Sequence, residues 1–331
     1  MGQNEMIWSY LIHLSTNMWG DQFSAERYSI YRDTNITEDA AWKEVVDFLP
    51  GRGINTLIID LGDAVQYESH PEISIRGAWS KEKLDQELQR LRGMGITPIP
   101  KLNFSACHNA WMGSWKRMLS TPQYYDFCRD LIDEVSELFG NPKLFHLGLD
   151  EETYENQKTH LYAVIRNRDL WWHDAKQLFA LCEKHGARPW VWADAYWIHP
   201  EEYLNNMPKD VLQSNWFYGK MRQNEDGASG AAMAEPLRCE LQAYLDLDRA
   251  GYDQVPTCST WETSYNDVET MRFGRNRLSA DRVRGYMTAP WKWTTEEMKY
   301  ALLDDAQTFW YARKRIYPET VSEQAEQLTK E

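Results

Sequence analysis

The sequence lacks an apolar run long enough to cross a membrane, and none of its five cysteines stands in a paired spacing. A membrane-spanning helix needs about 20 consecutive apolar residues, and a disulfide framework needs several suitably spaced cysteines. Neither is therefore expected. No secretion signal is recognisable near residue 1, so a cytoplasmic location is the default expectation, and a periplasmic or secreted one would require a removed leader. Four cysteines in apolar contexts are predicted to be small core residues: Cys107, Cys128, Cys182 and Cys258.

Positive charge is also scarce, because 36 Lys and Arg face 50 Asp and Glu, for a formal net charge of -14. Nucleic acids and anionic membrane surfaces are bound by clustered Lys and Arg. We therefore expect neither as a partner. The length of 331 residues suits one large α/β domain, and we predict that residues 1–331 form a single catalytic domain.

Short apolar runs instead alternate with amphipathic stretches along the whole chain. Helix-start signals stand at Ser80 and Thr121, and helix-stop glycines at Gly140 and Gly186. This alternation predicts a closed (β/α)₈ TIM barrel, with a final helix at about 295–316. The alternative is an open doubly wound sheet, which usually carries a Gly-rich phosphate loop after its first strand; the sequence shows none. The predicted strand runs are 6–14, 54–61, 96–103, 144–150, 188–194, 210–217, 254–261 and 284–291.

Aromatic and polar residues concentrate where these strands end, which is the face that carries the active site of TIM barrels. Flat aromatic walls with carboxylates and amides between them are typical of a sugar-binding pocket, and we predict a carbohydrate substrate. The predicted walls are Trp192, Trp216, Trp261, Trp291 and Trp293. The predicted polar contacts to sugar are Asp60, Lys101, Asn103, His108, Asp194, Asn215, Tyr218, Glu262 and Tyr265.

The fourth run ends in FHLGLDEETY, from Phe145 to Tyr154, with three consecutive carboxylates. Strand alternation would turn His146 and Asp150 toward the barrel axis, with Glu151 just beyond the strand. Two close carboxylates raise the pKa of one of them, which suits the general acid of glycosidic bond cleavage. Acidic residues are also favoured at any helix N-terminus. For Glu152 we predict only this role, with its side chain in solvent.

The segment HLGLDE resembles the H-x-G-x-D-E motif of glycoside hydrolase family 20, the β-N-acetylhexosaminidases, at His146, Gly148, Asp150 and Glu151. Residues 95–111 resemble the third strand region of that family, and residues 192–194 its W-x-D/E motif. The resemblance runs from about residue 33 to residue 293. It implies an exo-acting, retaining enzyme on a (β/α)₈ barrel without metal or cofactor, in which the 2-acetamido group of the substrate is the nucleophile. Glu151 would be the acid/base and Asp150 would orient the acetamide, with His146 supporting both from below.

The sequence departs from that family at four places. The family usually carries a small α/β domain before the barrel, whereas the first predicted strand of this sequence starts at residue 6. The sugar-binding Arg near the end of strand 1 has no clear counterpart, although Arg27 and Arg32 follow that strand. Strand 8 ends in residues 291–293, Trp-Lys-Trp, in place of W-x-E. The tyrosine that would contact the acetamide has two candidates, Tyr218 and Tyr265.

Three other interpretations stay open. Glu262 after strand 7 would be the nucleophile of a retaining glycosidase acting on a non-acetylated sugar, with Glu151 as acid/base. A barrel that binds sugar without cleaving it would keep the tryptophans but would not need the Asp150–Glu151 pair. A metal-dependent barrel would draw on the available oxygen and nitrogen ligands, which are His13, Asp60, His108, His146 and Asp150.

Overall fold

A computed structural model describes residues 6–18, 31–158, 166–221 and 238–321. Eight parallel strands follow each other in the order β6-β5-β4-β3-β2-β1-β8-β7. Parallel bridges from Gln213 to Gln254 and from Trp216 to Thr257 then join the two ends of this sheet, so the ring is nearly closed. Helices connect the strands. The prediction of a (β/α)₈ TIM barrel is confirmed.

The strands are β1 Ile7–His13, β2 Thr56–Asp60, β3 Thr97–Lys101, β4 Leu144–His146, β5 Arg188–Trp192, β6 Leu212–Ser214, β7 Thr257–Cys258 and β8 Gly285–Thr288. The α-helices are α1 Asp39–Phe48, α2 Lys81–Gly93, α3 Pro122–Leu138, α4 Tyr154–Gln157, α5 Arg168–Lys184, α6 Ala195–Ile198, α7 Pro200–Asn206, α8 Cys239–Arg249, α9 Asn266–Arg277 and α10 Lys299–Ile316. None of the helices within the described ranges is both long and apolar enough to cross a membrane.

The strands separate two apolar cores. A small inner core fills the barrel, and a large outer core lies between the strands and the helices. Phe145, Leu147 and Leu149 belong to the outer core. The four cysteines predicted to be core residues are buried. The inner core consists of Ile7, Leu11, Ile58, Ile99, Trp190, Trp192, Leu212, Val255, Met287 and Ala289.

The helix-start predictions at Ser80 and Thr121 are confirmed, because their hydroxyl oxygens accept hydrogen bonds from the amides of Lys83 and Tyr124 at 3.2 and 3.3 Å. The last helix starts at Lys299 and not near residue 295. The Thr294 hydroxyl donates to the carbonyl of His13 at 2.7 Å. This bond ties the chain to β1, so the helix can begin only after a further turn.

The prediction that Glu152 is solvated is wrong, because its side chain is only 3% exposed. Both of its carboxylate oxygens accept hydrogen bonds from the buried guanidinium of Arg166, at 3.1 Å for the longer bond. Arg166 also donates to Asp174 at 2.8 Å and to the carbonyl of Phe104 at 2.6 Å. Glu152 is thus part of an ion network that ties the β4–α4 connection to α5.

Removing Arg166 should leave two buried carboxylates without their cation. We expect Arg166→Leu to lower the free energy of unfolding by about 3–5 kcal/mol, measured by urea denaturation. Arg129→Leu is the matched control, since Arg129 pairs with Asp126 and Asp130 at the surface and should cost less than about 1 kcal/mol. An equal loss of unfolding free energy in the two variants would contradict the conclusion that Arg166 neutralises two buried carboxylates.

Candidate active site

A cavity of about 420 Å³ opens at the C-terminal ends of the strands. It includes the acidic pair of the fourth run and all five tryptophans predicted as walls. Ser15, Thr16 and Met18 line it as well, although the sequence reasoning did not select them. They follow directly on β1, and that position was the available signal. The complete lining is His13, Ser15, Thr16, Met18, His108, Asp150, Glu151, Trp192, Trp216, Tyr218, Trp261, Glu262, Trp291 and Trp293.

Asp150 lies at the buried side of this cavity. Its Oδ1 accepts a hydrogen bond from Asn103 Nδ2 at 2.8 Å, and its Oδ2 lies 3.2 Å from His108 Nε2. Burial by itself would raise the pKa of Asp150, but the charges of His108 and Lys101 and the hydrogen bond from Asn103 outweigh it and lower that pKa to about 2. Asp150 is therefore a carboxylate at neutral pH.

Glu151 shares the same histidine. Its Oε2 lies 3.3 Å from His108 Nε2, and its side chain is 32% exposed to the cavity and solvent. Burial would lower the pKa of His108, but the negative charges of Asp150 and Glu151 and their hydrogen bonds raise it to about 10. A buried, positively charged imidazole thus lies between the buried carboxyl group of Asp150 and the more accessible one of Glu151. This difference in environment is what two carboxyl groups with different roles require.

The backbone turn that presents this pair is left-handed at three positions: φ is 71° at Gly148, 69° at Leu149 and 55° at Glu151. Strand β4 consequently ends at His146. The sequence had predicted strand alternation as far as Asp150, and this does not occur. Gly148 is needed for its lack of a side chain, because a Cβ there would lie 2.0 Å from Asn103 Oδ1 and 2.9 Å from Asn103 Cα. The space left by Gly148 holds the amide that binds Asp150.

We expect Gly148→Ala to lower kcat for any reaction that this cavity catalyses by at least about 100-fold, because the new methyl group would push Asn103 away from Asp150. Gly186→Ala is a matched control: Gly186 has the same left-handed φ of 72°, but its Cβ would meet nothing within 4 Å. That control should lose about 1 kcal/mol of stability and keep its activity. Steady-state kinetics and thermal unfolding of both variants test this, and full activity in Gly148→Ala would contradict it.

A row of polar residues lies beneath the cavity, since the strand register aligns His13, Asp60, Lys101 and His146 on four neighbouring strands. Asp60 Oδ2 lies 2.6 Å from Lys101 Nζ and 3.2 Å from His13 Nδ1. Burial opposes ionisation of Asp60, but Lys101 and His13 hold its pKa well below the usual range. Asp60 and Lys101 therefore form a buried ion pair outside the cavity lining.

His146 lies in the same row and is fully buried. Burial and then the charge of Lys101 hold its pKa well below 6.5, so the imidazole is neutral. Its Nδ1 accepts a hydrogen bond from the amide of Gly148 at 3.1 Å. His146 thus supports the start of the left-handed turn from below. Within the described residues, no three or more His, Cys, Asp or Glu are arranged to hold a metal ion.

Aromatic rings form the walls. Trp216 stacks on Tyr218 with ring centroids 5.0 Å apart, and Trp192 and Trp291 meet at 5.8 Å. Trp261 is 51% exposed and stands at the rim of the cavity. Tyr265, the other candidate for an acetamide contact, is 70% exposed and lies outside the lining. Tyr218 is the candidate that the fold brings to the cavity.

Other predicted contacts are placed elsewhere. Asn215 is buried, and its amide is engaged by Trp197 Nε1 at 2.8 Å and by the carbonyl of Glu240 at 2.7 Å. Asn103 binds Asp150 and does not line the cavity. The Arg32 guanidinium lies over the ring of Trp293, 4.3 Å from its centre. Arg27 lies outside the described residues.

Comparison with protein-family models gave no match, and comparison with curated proteins gave none either. Solved structures do match the fold. The chitobiase of Flavobacterium johnsoniae is 18% identical with a TM-score of 0.58, and the match covers 88% of this chain and 50% of that one. An exo β-N-acetylglucosaminidase from Vibrio harveyi is 14% identical with a TM-score of 0.62, over 99% and 58% of the two chains.

The N-acetyl-β-hexosaminidase of Streptomyces plicatus is 14% identical with a TM-score of 0.62, over 92% of this chain and 64% of its own. This chain therefore spans between half and two thirds of the length of these three proteins. At such identities the likeness concerns the fold. The chain is a (β/α)₈ barrel similar to those of glycoside hydrolases of family 20 that act on N-acetylhexosamine.

Proposed function

We propose that this protein is an exo-acting, retaining glycoside hydrolase for terminal β-linked N-acetylhexosamine. The observation that carries the proposal is the grouping of Asp150, His108 and Glu151 in one aromatic-walled cavity. The structural neighbours support it, because they include a chitobiase and two enzymes named for N-acetylated hexosamines.

In the proposed reaction Glu151 donates its proton to the glycosidic oxygen as the bond to the leaving group breaks. The acetamide oxygen of the substrate attacks the anomeric carbon, and Asp150 accepts a hydrogen bond from the acetamide N–H. The carboxylate of Asp150 stabilises the positive charge that develops on the resulting oxazolinium ion. Glu151 then removes a proton from the water that opens this ring, which restores the proton for the next turnover.

The cavity also bears on where the enzyme would cut. Its base is closed by the buried row of His13, Asp60, Lys101 and His146, and its walls are aromatic. A terminal sugar can enter such a pocket end-on, toward the base. This supports cleavage from the chain end.

Glu262 is the competing nucleophile. It is exposed at the rim beside Trp261, whereas Asp150 is buried and held ionised against His108. A group that stabilises a cation next to the anomeric carbon is expected inside the cavity. The geometry therefore favours the substrate acetamide as nucleophile, with Glu262 as a contact to sugar hydroxyl groups.

Paired substrates test the proposal. We expect turnover of an aryl N-acetyl-β-glucosaminide and at least about 1,000-fold slower turnover of the matching β-glucoside. A thiazoline analogue of N-acetylglucosamine should bind at least about 100-fold more tightly than the sugar itself, since it mimics the oxazolinium intermediate. Equal turnover of both substrates without thiazoline inhibition would instead support Glu262 as nucleophile. Sugar binding without any turnover would support the non-catalytic barrel.

A further inference from the structure

Asp194 follows β5 and was expected to contact sugar, but the fold places it behind the left-handed turn of residues 148–151. Its side chain is buried and does not line the cavity. Its Oδ2 accepts a hydrogen bond from the backbone amide of Glu151 at 2.7 Å. Its Oδ1 is buried and has no hydrogen-bond partner among the described residues. Asp194 therefore contacts the proposed acid/base through the backbone.

The conformation of Glu151 gives this contact its importance. A φ of 55° is left-handed, and residues other than glycine adopt it only where surrounding contacts enforce it. The carbonyl of Glu151 is held by the amide of Thr153 at 2.7 Å, by Asn156 Nδ2 at 2.9 Å and by Cys107 Sγ at 3.0 Å. On the amide side, Asp194 supplies the hydrogen bond.

The surroundings of Asp194 are not fully packed. A second cavity, of about 190 Å³, lies behind the turn, and Asp194 is part of its lining. Without Asp194, the peptide unit that joins Asp150 to Glu151 would keep the hydrogen bond that Ser105 Oγ donates to the carbonyl of Asp150 at 2.6 Å, but its N–H would lose its partner, and the Glu151 carboxyl group would be held less firmly against His108. The charged and titratable residues that line this second cavity with Asp194 are Glu152, Arg166, Arg168, His199 and Glu202, together with Tyr154.

Asp194 can fill this role without adding a charge to the site. Burial and then the negative charges of Asp150 and Glu151 raise the pKa of Asp194 to about 8. Tyr203 of α7 lies close enough to interact with it electrostatically, and its hydroxyl donates to Gln213 Oε1. At neutral pH Asp194 is therefore protonated, and it accepts the hydrogen bond from the Glu151 amide without placing a third carboxylate beside the other two.

We infer that Asp194 is a positioning residue that fixes the left-handed backbone of Glu151 and so aims the acid/base carboxyl at the cavity. The inference rests on the proposed function, because it assigns to Glu151 the role of proton donor. It differs from a general structural role in what it predicts. Only the proton transfers of Glu151 should suffer, and in the bond-breaking step the loss of rate should follow how much the leaving group needs a proton.

The dependence of the rate loss on the leaving group tests whether Asp194 acts through proton transfer by Glu151. We expect Asp194→Ala to lower kcat/KM by at least about 100-fold for an aryl N-acetylglucosaminide with a poor leaving group such as phenol. For 2,4-dinitrophenol, which departs without a proton, the loss of kcat/KM should stay below about 5-fold. Asp194→Asn keeps an oxygen acceptor for the Glu151 amide and should restore most of the lost rate. An equal loss for both leaving groups, or no rescue by Asn, would overturn the inference.

Hydrogen exchange separates a failure of this inference from a failure of the proposed function. Amide exchange in a peptide covering residues 145–157, measured by mass spectrometry, needs no turnover. Faster exchange in Asp194→Ala than in wild type, reversed in Asp194→Asn, would support the positioning role even if no glycoside is cleaved. Unchanged exchange in Asp194→Ala would overturn it, whether or not the wild type proves to be a hexosaminidase.

Discussion

Glu151→Gln should lower kcat/KM by at least about 1,000-fold for an aryl N-acetylglucosaminide with a poor leaving group. Glutamine keeps the shape of the side chain but has no proton to give, and general acid catalysis typically contributes about 10²–10⁴-fold. Steady-state kinetics measure the loss, and unfolding curves show whether the variant stays folded.

Glu155→Gln is the matched control for this variant. It makes the same chemical change four residues away, on a side chain that is 72% exposed, and we expect it to keep wild-type rates. Azide provides a second check on the mechanism, because this anion attacks without needing a general base. With a dinitrophenyl substrate, azide should raise the rate of Glu151→Ala and yield a β-glycosyl azide. Full activity in Glu151→Gln would refute the assignment of the acid/base.

Asp150→Asn should lower kcat/KM for the acetamido substrate by about 10²–10³-fold, because a neutral amide cannot stabilise the positive oxazolinium ion. The same change removes the main charge that raises the pKa of His108, so that pKa should fall toward its usual range. Binding of the thiazoline inhibitor should weaken by a similar factor, which a titration can measure separately from turnover.

The exposed Asp126 offers the corresponding control, since its side chain is 62% exposed and pairs only at the surface. Asp126→Asn should leave kinetics and inhibitor binding unchanged. If Asp150→Asn lost activity but bound the thiazoline as tightly as wild type, Asp150 would not be the partner of the acetamide.

Much of the fold follows from local patterns. Eight apolar runs separated by amphipathic stretches predicted the barrel, because strand and helix periodicities are properties of short segments. Caps at Ser80 and Thr121 involve bonds across only three residues, so sequence spacing reveals them. The boundary at Lys299 was missed because the bond that delays the helix joins Thr294 to His13, 281 residues away.

In the candidate site, too, local sequence patterns predicted some features, and contacts between distant residues set the others. Position at the end of a strand sufficed to select the tryptophans and the acidic pair, which the cavity brings together. It did not suffice for Asp60 and Lys101, because these two residues form an ion pair with each other beneath the cavity and do not line it. It failed for Glu152, because its partner Arg166 is 14 residues away in sequence and carries no periodic signal.

By itself, the sequence determined that this chain forms a (β/α)₈ barrel with aromatic and acidic residues at the C-terminal ends of its strands. Side-chain periodicity and strand order are enough for that, since the ends of parallel strands meet on one face. Only the tertiary structure distinguishes the environments of the individual carboxyl groups. Burial, the shared contact with His108 and the left-handed turn at Gly148 and Glu151 depend on residues far apart in the chain. They leave Asp150 buried against His108, Glu151 open to the cavity, and Asp194 buried behind the backbone amide of Glu151.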